Sequence, residues 1–167
     1  MSEPSYAKLL HSNAGLPLEV LRDILIPAIL GKETDGILYW AGKDLARQFP
    51  VETEDDVSTI FSQLGFGDIK LQKKNKKQQV WIMSGGLVTD RLALDKNNFT
   101  LEAGFLAQQI ELQTNATSEA QITEKKKNSV EILVQHNLKD TLTDIEPTKY
   151  ITVENSTEES DSDDHDK

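Results

Sequence analysis

The chain has 167 residues, with 28 acidic against 18 basic side chains, a net charge of −10 and no cysteine. That length suits one domain with a real core. Without cysteine there is no disulfide, thiolate metal site or cysteine nucleophile, and a field this negative argues against a nucleic-acid partner.

The chain divides into an N-terminal extension (1–15), a single α+β domain (16–137) and an acidic disordered tail (138–167). Met1-Ser2-Glu3-Pro4 is not the start of a signal peptide. The apolar run from Ile24 to Leu30 is far shorter than the roughly 20 residues that span a bilayer. A cytoplasmic protein without membrane insertion is expected.

Pro17 suits the first turn of a helix in which Leu18, Leu21, Leu25 and Ile29 recur at helical spacing. Pro27 should kink it and Gly31 stop it. A second helix starts around Thr34, with Ile37, Ala41, Leu45 and Phe49 on its apolar stripe, and ends at Pro50. The third follows Thr53-Glu54-Asp55-Asp56, a capping threonine with acids on the first turn, and closes at Gly65.

After Phe66-Gly67 the period becomes alternating. Ile69, Leu71, Val80 and Ile82 are assigned to one face of a hairpin turning near Asn75. Gly85-Gly86 ends the strand, and Leu87 to Leu94 is read as extended or irregular. A fourth helix is expected from a Thr100 cap, with Leu101, Phe105, Leu106 and Ile110 inward. Ala120 to Val134 then repeats the lysine-and-asparagine turn of the first hairpin. The result is helices packed on one face of an antiparallel sheet made from two hairpins. Lys70, Lys73, Lys74, Lys76 and Lys77, and Lys125 to Lys127, are read as protection of exposed strands, with a basic surface for an anionic partner as the alternative. Glu154 to Lys167 cannot bury enough apolar surface to order itself.

Little chemistry is visible. His11, His136 and His165 have no metal-ligand spacing, and neither metal nor cofactor is expected. Ser84-Gly85-Gly86 fits neither a phosphate loop nor a nucleophile elbow. Tyr39 and Lys43, one helical turn apart beside Trp40, could share a pocket or an interface. Arg91 and Glu102, flanking the fourth helix, are further candidates for a ligand or interface, ranked behind a structural ion pair between them. Gly42 and Gly104 each cost a helix roughly 1 kcal/mol against alanine, which implies close backbones or room for a ligand.

The strings Ile37-Leu38-Tyr39-Trp40-Ala41-Gly42-Lys43-Asp44-Leu45-Ala46-Arg47 and Phe99-Thr100-Leu101-Glu102-Ala103-Gly104-Phe105-Leu106-Ala107-Gln108-Gln109-Ile110 resemble two signatures of the YslB-like family, over about residues 16 to 136. The resemblance implies a fold similar to the 4-vinyl-reductase-type domains and TRAPP tethering subunits, whose members bind small apolar ligands or dimerise through helices. The metal- or acyl-binding cysteines of some relatives have no counterpart here. The expectation is a non-enzymatic small-ligand-binding or protein-interaction domain, a homodimer or the partner of another protein, with an apolar pocket near Gly42 and Gly104. The alternative is an enzyme acting on a hydrophobic small molecule, which would need a polar group with a perturbed pKa in that pocket, Tyr39 or Glu102 first.

Overall fold

The computed structural model describes residues 11–143 and 146–154. The first ten residues, 144–145 and 155–167, with His165 and half of the expected acidic tail, lie outside the described part.

Helical structure runs from 16 to 33 without a break in the chain. It comprises α1 (Leu16–Glu19), a π-helical stretch (Val20–Leu25), α2 (Ile26–Leu30) and a 3-10 turn (Gly31–Glu33). Pro17 lies in the first turn of α1, as expected. Pro27 is the second residue of α2, directly after the π-helical stretch, so its missing N–H falls where the bonding pattern already changes.

Next come α3 (Thr34–Gln48) and α4 (Glu54–Gln63). Thr53 caps α4 in a reciprocal box with Asp56. Gly65, at φ +71°, ends that helix in the left-handed region. The first hairpin is β1 (Asp68–Lys74) and β2 (Gln78–Ser84), its turn closed by the Asn75 side chain, which accepts from the N–H groups of Lys77 and Gln78.

Gly86–Leu92 forms a helix, α5, where an irregular piece was expected. Gly85, at φ +99°, turns the chain into it, and the Thr89 hydroxyl donates back to the Gly85 carbonyl. α6 (Thr100–Thr114) is the central helix, buried on every side from Glu102 to Ile110. The expected Thr100 cap is replaced by Asn98, whose Oδ1 accepts from the Thr100 N–H at 2.8 Å and its hydroxyl at 2.6 Å.

β3 (Ala116–Lys125) and β4 (Ser129–Thr141) complete an antiparallel sheet of order β1-β2-β4-β3. The expected α+β architecture is therefore present. Trp81, Met83, Val130, Ile132 and Val134 turn inward with Ile69 and meet the helices, around a trio of edge-to-face rings, Phe61, Phe66 and Phe105. The register opposes Trp81 to Leu71 and Val80 to Lys73, so Val80 and Ile82 lie on the outer face, contrary to their assignment beside Ile69 and Leu71.

Two further expectations change. β4 runs to Thr141, past the expected boundary at 137, and residues 146–154 return along the domain. There the Tyr150 hydroxyl donates to the Leu112 carbonyl, Ile151 N–H to the Pro50 carbonyl, and Val153 packs on the core. The α3 stripe is also rotated: Gly42, Lys43 and Ala46 are buried while Ile37, Ala41 and Phe49 are exposed. No helix among the described residues is long and apolar enough to cross a membrane.

Candidate functional site

Close helix packing comes first. A Cβ on Gly42 would press into the Leu101 carbonyl and lie 2.8 Å from the Phe105 nitrogen. A Cβ on Gly104 would press into the Tyr39 carbonyl and lie 2.8 Å from its carbon. The two glycines thus let the α3 and α6 backbones touch, and backbone fills the place where an apolar pocket was expected.

That contact brings Tyr39 and Lys43 over β3, an edge of the sheet. The Ala120 N–H donates to Tyr39 Oη at 2.9 Å, and Lys43 Nζ donates to the Ser118 carbonyl at 3.2 Å. Alternate backbone groups of an edge strand are satisfied by a helix's side chains, which leaves less of the edge free for another strand. Glu119 accepts from both Tyr39 and Lys43, and Glu111 lies 3.8 Å from the ammonium. Burial pushes the Tyr39 phenol well above its usual range, opposed by the Ala120 N–H and reinforced by Glu119. A phenol so held is a poor proton donor or base at neutral pH. Trp40, beside this group, is 60% exposed, with the Lys43 ammonium 5.6 Å from its ring centre.

Arg91 and Glu102 form the expected ion pair, Nη1 to Oε1 at 2.7 Å, both buried. The pair belongs to a larger cluster. Arg22 also donates to Glu102 Oε1, Arg91 reaches Asp23 at 3.3 Å and the Asn98 carbonyl, and the guanidinium planes lie over Phe66 and Phe99. Both arginines bond Glu102 through Oε1, while its buried Oε2 meets no hydrogen-bond partner among the described residues. Tyr39 and Lys43 meet β3 whereas Arg91 and Glu102 meet Arg22 and Asp23, so the two groups form separate sites.

The residues missed are Glu19, Arg22 and Asp23. Glu19 is 2% exposed, and neither of its carboxyl oxygens meets a donor among the described residues. The sequence shows that these three share one stripe of the 16–30 segment, opposite the leucines, but not that this stripe is the covered one. The structure turns the charged stripe inward and leaves Leu18, Val20, Leu21, Ile24, Leu25 and Ile29 between 38% and 71% exposed. This segment is amphipathic in the inverse sense to an ordinary surface helix.

An open polar groove of about 450 Å³ lies between the start of α4 and the first hairpin, with Glu52, Asp55, Lys74 and Gln79 on its walls. A Lys74–Glu54 bridge of 2.5 Å crosses it. The sequence gives no sign of this groove, because its walls come from segments far apart in the chain.

Residues 15–135 match the family described as Protein of unknown function (DUF2507). The chain is similar to the uncharacterized protein YslB of Bacillus subtilis (strain 168), with 33% identity over 124 residues, 73% of this chain and 84% of that protein. Among solved structures it is similar to a vinyl-4-reductase family protein from Methanocaldococcus jannaschii, with a TM-score of 0.55, 17% identity, and 71% and 78% of the two chains covered. At that identity the likeness is one of fold.

Proposed function

The chain belongs to the DUF2507 family of proteins of unknown function, and from that premise we propose that it is a cytoplasmic, non-catalytic interaction domain that pairs with a second copy of itself through the outward face of residues 16–30. The observation that carries this reading is the inverted segment: six large apolar side chains face solvent while Glu19 is buried beneath them. Together they expose on the order of 500 Å² of apolar surface, near the upper end of what a monomer leaves bare. Ile37 and Trp40, 45% and 60% exposed, extend the apolar surface onto α3.

A second copy is favoured by self-complementarity. Leu18, Leu21 and Leu25 are exposed together, and an apolar face that meets its own copy about a two-fold axis is matched by the same side chains. A lipid surface is disfavoured because interfacial helices present Lys and Arg beside the apolar face, whereas Arg22 is turned inward and engaged by Glu102. The close α3–α6 contact and the commitments of Tyr39 and Glu102 favour interaction over small-ligand binding or catalysis.

The test is the solution mass of the full chain by sedimentation equilibrium. Wild type should sediment at twice its chain mass and Leu25→Asp as a single chain with an unchanged far-ultraviolet spectrum. A wild type that stays single at every concentration overturns the reading.

A further inference from the structure

Glu19 is a buried carboxyl group in a cluster that has already used its cations. From its own segment it faces Arg22 and Asp23, from α5 Asp90 and Arg91, and beyond them Glu102 of α6. Both guanidiniums bond Glu102 Oε1, and Arg91 also serves Asp23 and the Asn98 carbonyl. Asp90 accepts from the Asn13 N–H at 2.6 Å and its side-chain amide at 2.7 Å. Glu19 receives no donor among the described residues. A cavity of about 10 Å³ beside it has space for about one water, too little to hydrate a carboxylate.

Charge counting sharpens the point. Within the cluster the carboxyls of Glu19, Asp23 and Glu102 oppose the guanidiniums of Arg22 and Arg91. Carboxyls outnumber guanidiniums even before the partly exposed Asp90 is counted, and Glu19 is the member with neither a cation nor any other donor bonded to it. A buried charge left unpaired destabilises whatever buries it, and what buries Glu19 is the seating of residues 16–30 on the domain.

We propose that this seating is gated by a proton on Glu19: protonated, the carboxyl closes the cluster and the segment stays down; ionised, it loosens the segment that carries the exposed leucine face. Burial, with the Asp23 carboxylate beside it, raises Glu19 from 4.5 to about 7, and Arg91 opposes this only in part. The seated form therefore holds its proton more tightly than the released form. Release is favoured progressively as pH rises from 4.5 to about 7 and levels off above that. The consequence for self-pairing rests on the function proposed above; the gate itself does not.

Hydrogen exchange of the full chain, corrected for intrinsic rates, tests the gate. Between pH 6 and pH 8 the opening of residues 16–30 relative to α6 should rise roughly ten-fold, as linkage to a group shifted this far requires. In Glu19→Gln the segment should stay seated with no pH response. Asp23→Asn, which removes the neighbouring carboxylate, should carry the response to lower pH. Repeating the series in Leu25→Asp reads the gate separately from pairing, since a single-chain protein must still show it. A pH-independent wild type, or an equal response in Glu19→Gln, overturns the proposal.

Discussion

Gly42 of α3 and Gly104 of α6 each lie against the other helix's backbone, Gly42 on Leu101 and Phe105 and Gly104 on Tyr39. Neither site has room for a methyl group, and the obstruction is main chain, which cannot rotate aside. Gly42→Ala and Gly104→Ala should each cost about 3 kcal/mol, seen as a fall in Tm of roughly 6–12 °C. Gly36 lies on the same helix as Gly42, and a methyl group there would meet nothing within 4 Å, so Gly36→Ala should stabilise by up to about 1 kcal/mol. Thermal unfolding of the three variants checks both signs.

Tyr39 holds the sheet edge through one oxygen. Tyr39→Phe removes the partner of the Ala120 N–H and one donor to Glu119, at a cost of about 1–2 kcal/mol in denaturant unfolding. The raised phenol adds a pH signature. The folded chain keeps that proton more tightly than the unfolded chain, so its part of the stability is intact below pH ~10 and is lost as pH rises above that. Tyr39→Phe should flatten the alkaline loss of stability, and absorbance titration of the folded protein should show one late-ionising tyrosine fewer than in wild type.

Arg91 is buried among carboxylates, so its removal leaves charge unpaired. Arg91→Met should cost about 3–5 kcal/mol, since Glu102 and Asp23 each lose a cation. Lys126, in an exposed pair with Glu124, gives the contrast: Lys126→Met should change stability by less than about 1 kcal/mol. Chemical denaturation of both variants measures the difference.

The capping box of α4 predicts a graded series. Thr53→Ala deletes the side-chain acceptor for the Asp56 N–H and should cost about 1 kcal/mol. Thr53→Ser keeps the hydroxyl and should sit close to wild type. The same unfolding curves report it.

What could be read from the sequence depended on whether its signal was local. The Thr53 cap, the Asn75 turn and the glycine pair could be read because each needs only neighbouring residues or an unusual helix glycine. Helical periodicity shows that a stripe exists but not which stripe is covered. It therefore misplaced the inward face of α3, where Gly42 and not Ile37 meets α6, and gave no warning that residues 16–30 are turned inside out. α5 has seven residues opened by two glycines, too short for a periodic signal and marked by breakers. Val80 and Ile82 went to the wrong face because the hairpin register has an irregularity between Leu71 and Lys73, and a one-residue slip reverses every side chain. The polar groove and the hold of Tyr150 on Leu112 join segments far apart in sequence. Glu19 was missed because a charged residue among leucines reads as solvent-facing until the packing is known.

Self-pairing requires the outward leucine face to be covered by a second copy, and the absence of cysteine allows that cover to be measured directly. A single thiol introduced by Leu21→Cys or Leu25→Cys, reacted with a bulky thiol reagent over a range of protein concentrations, reports how accessible the face is. Slow labelling at high concentration that quickens on dilution is expected, against a constant fast rate for Gln121→Cys on the exposed outer sheet face. Labelling at Leu21→Cys and Leu25→Cys as fast as at Gln121→Cys at every concentration would show that no second copy covers the face.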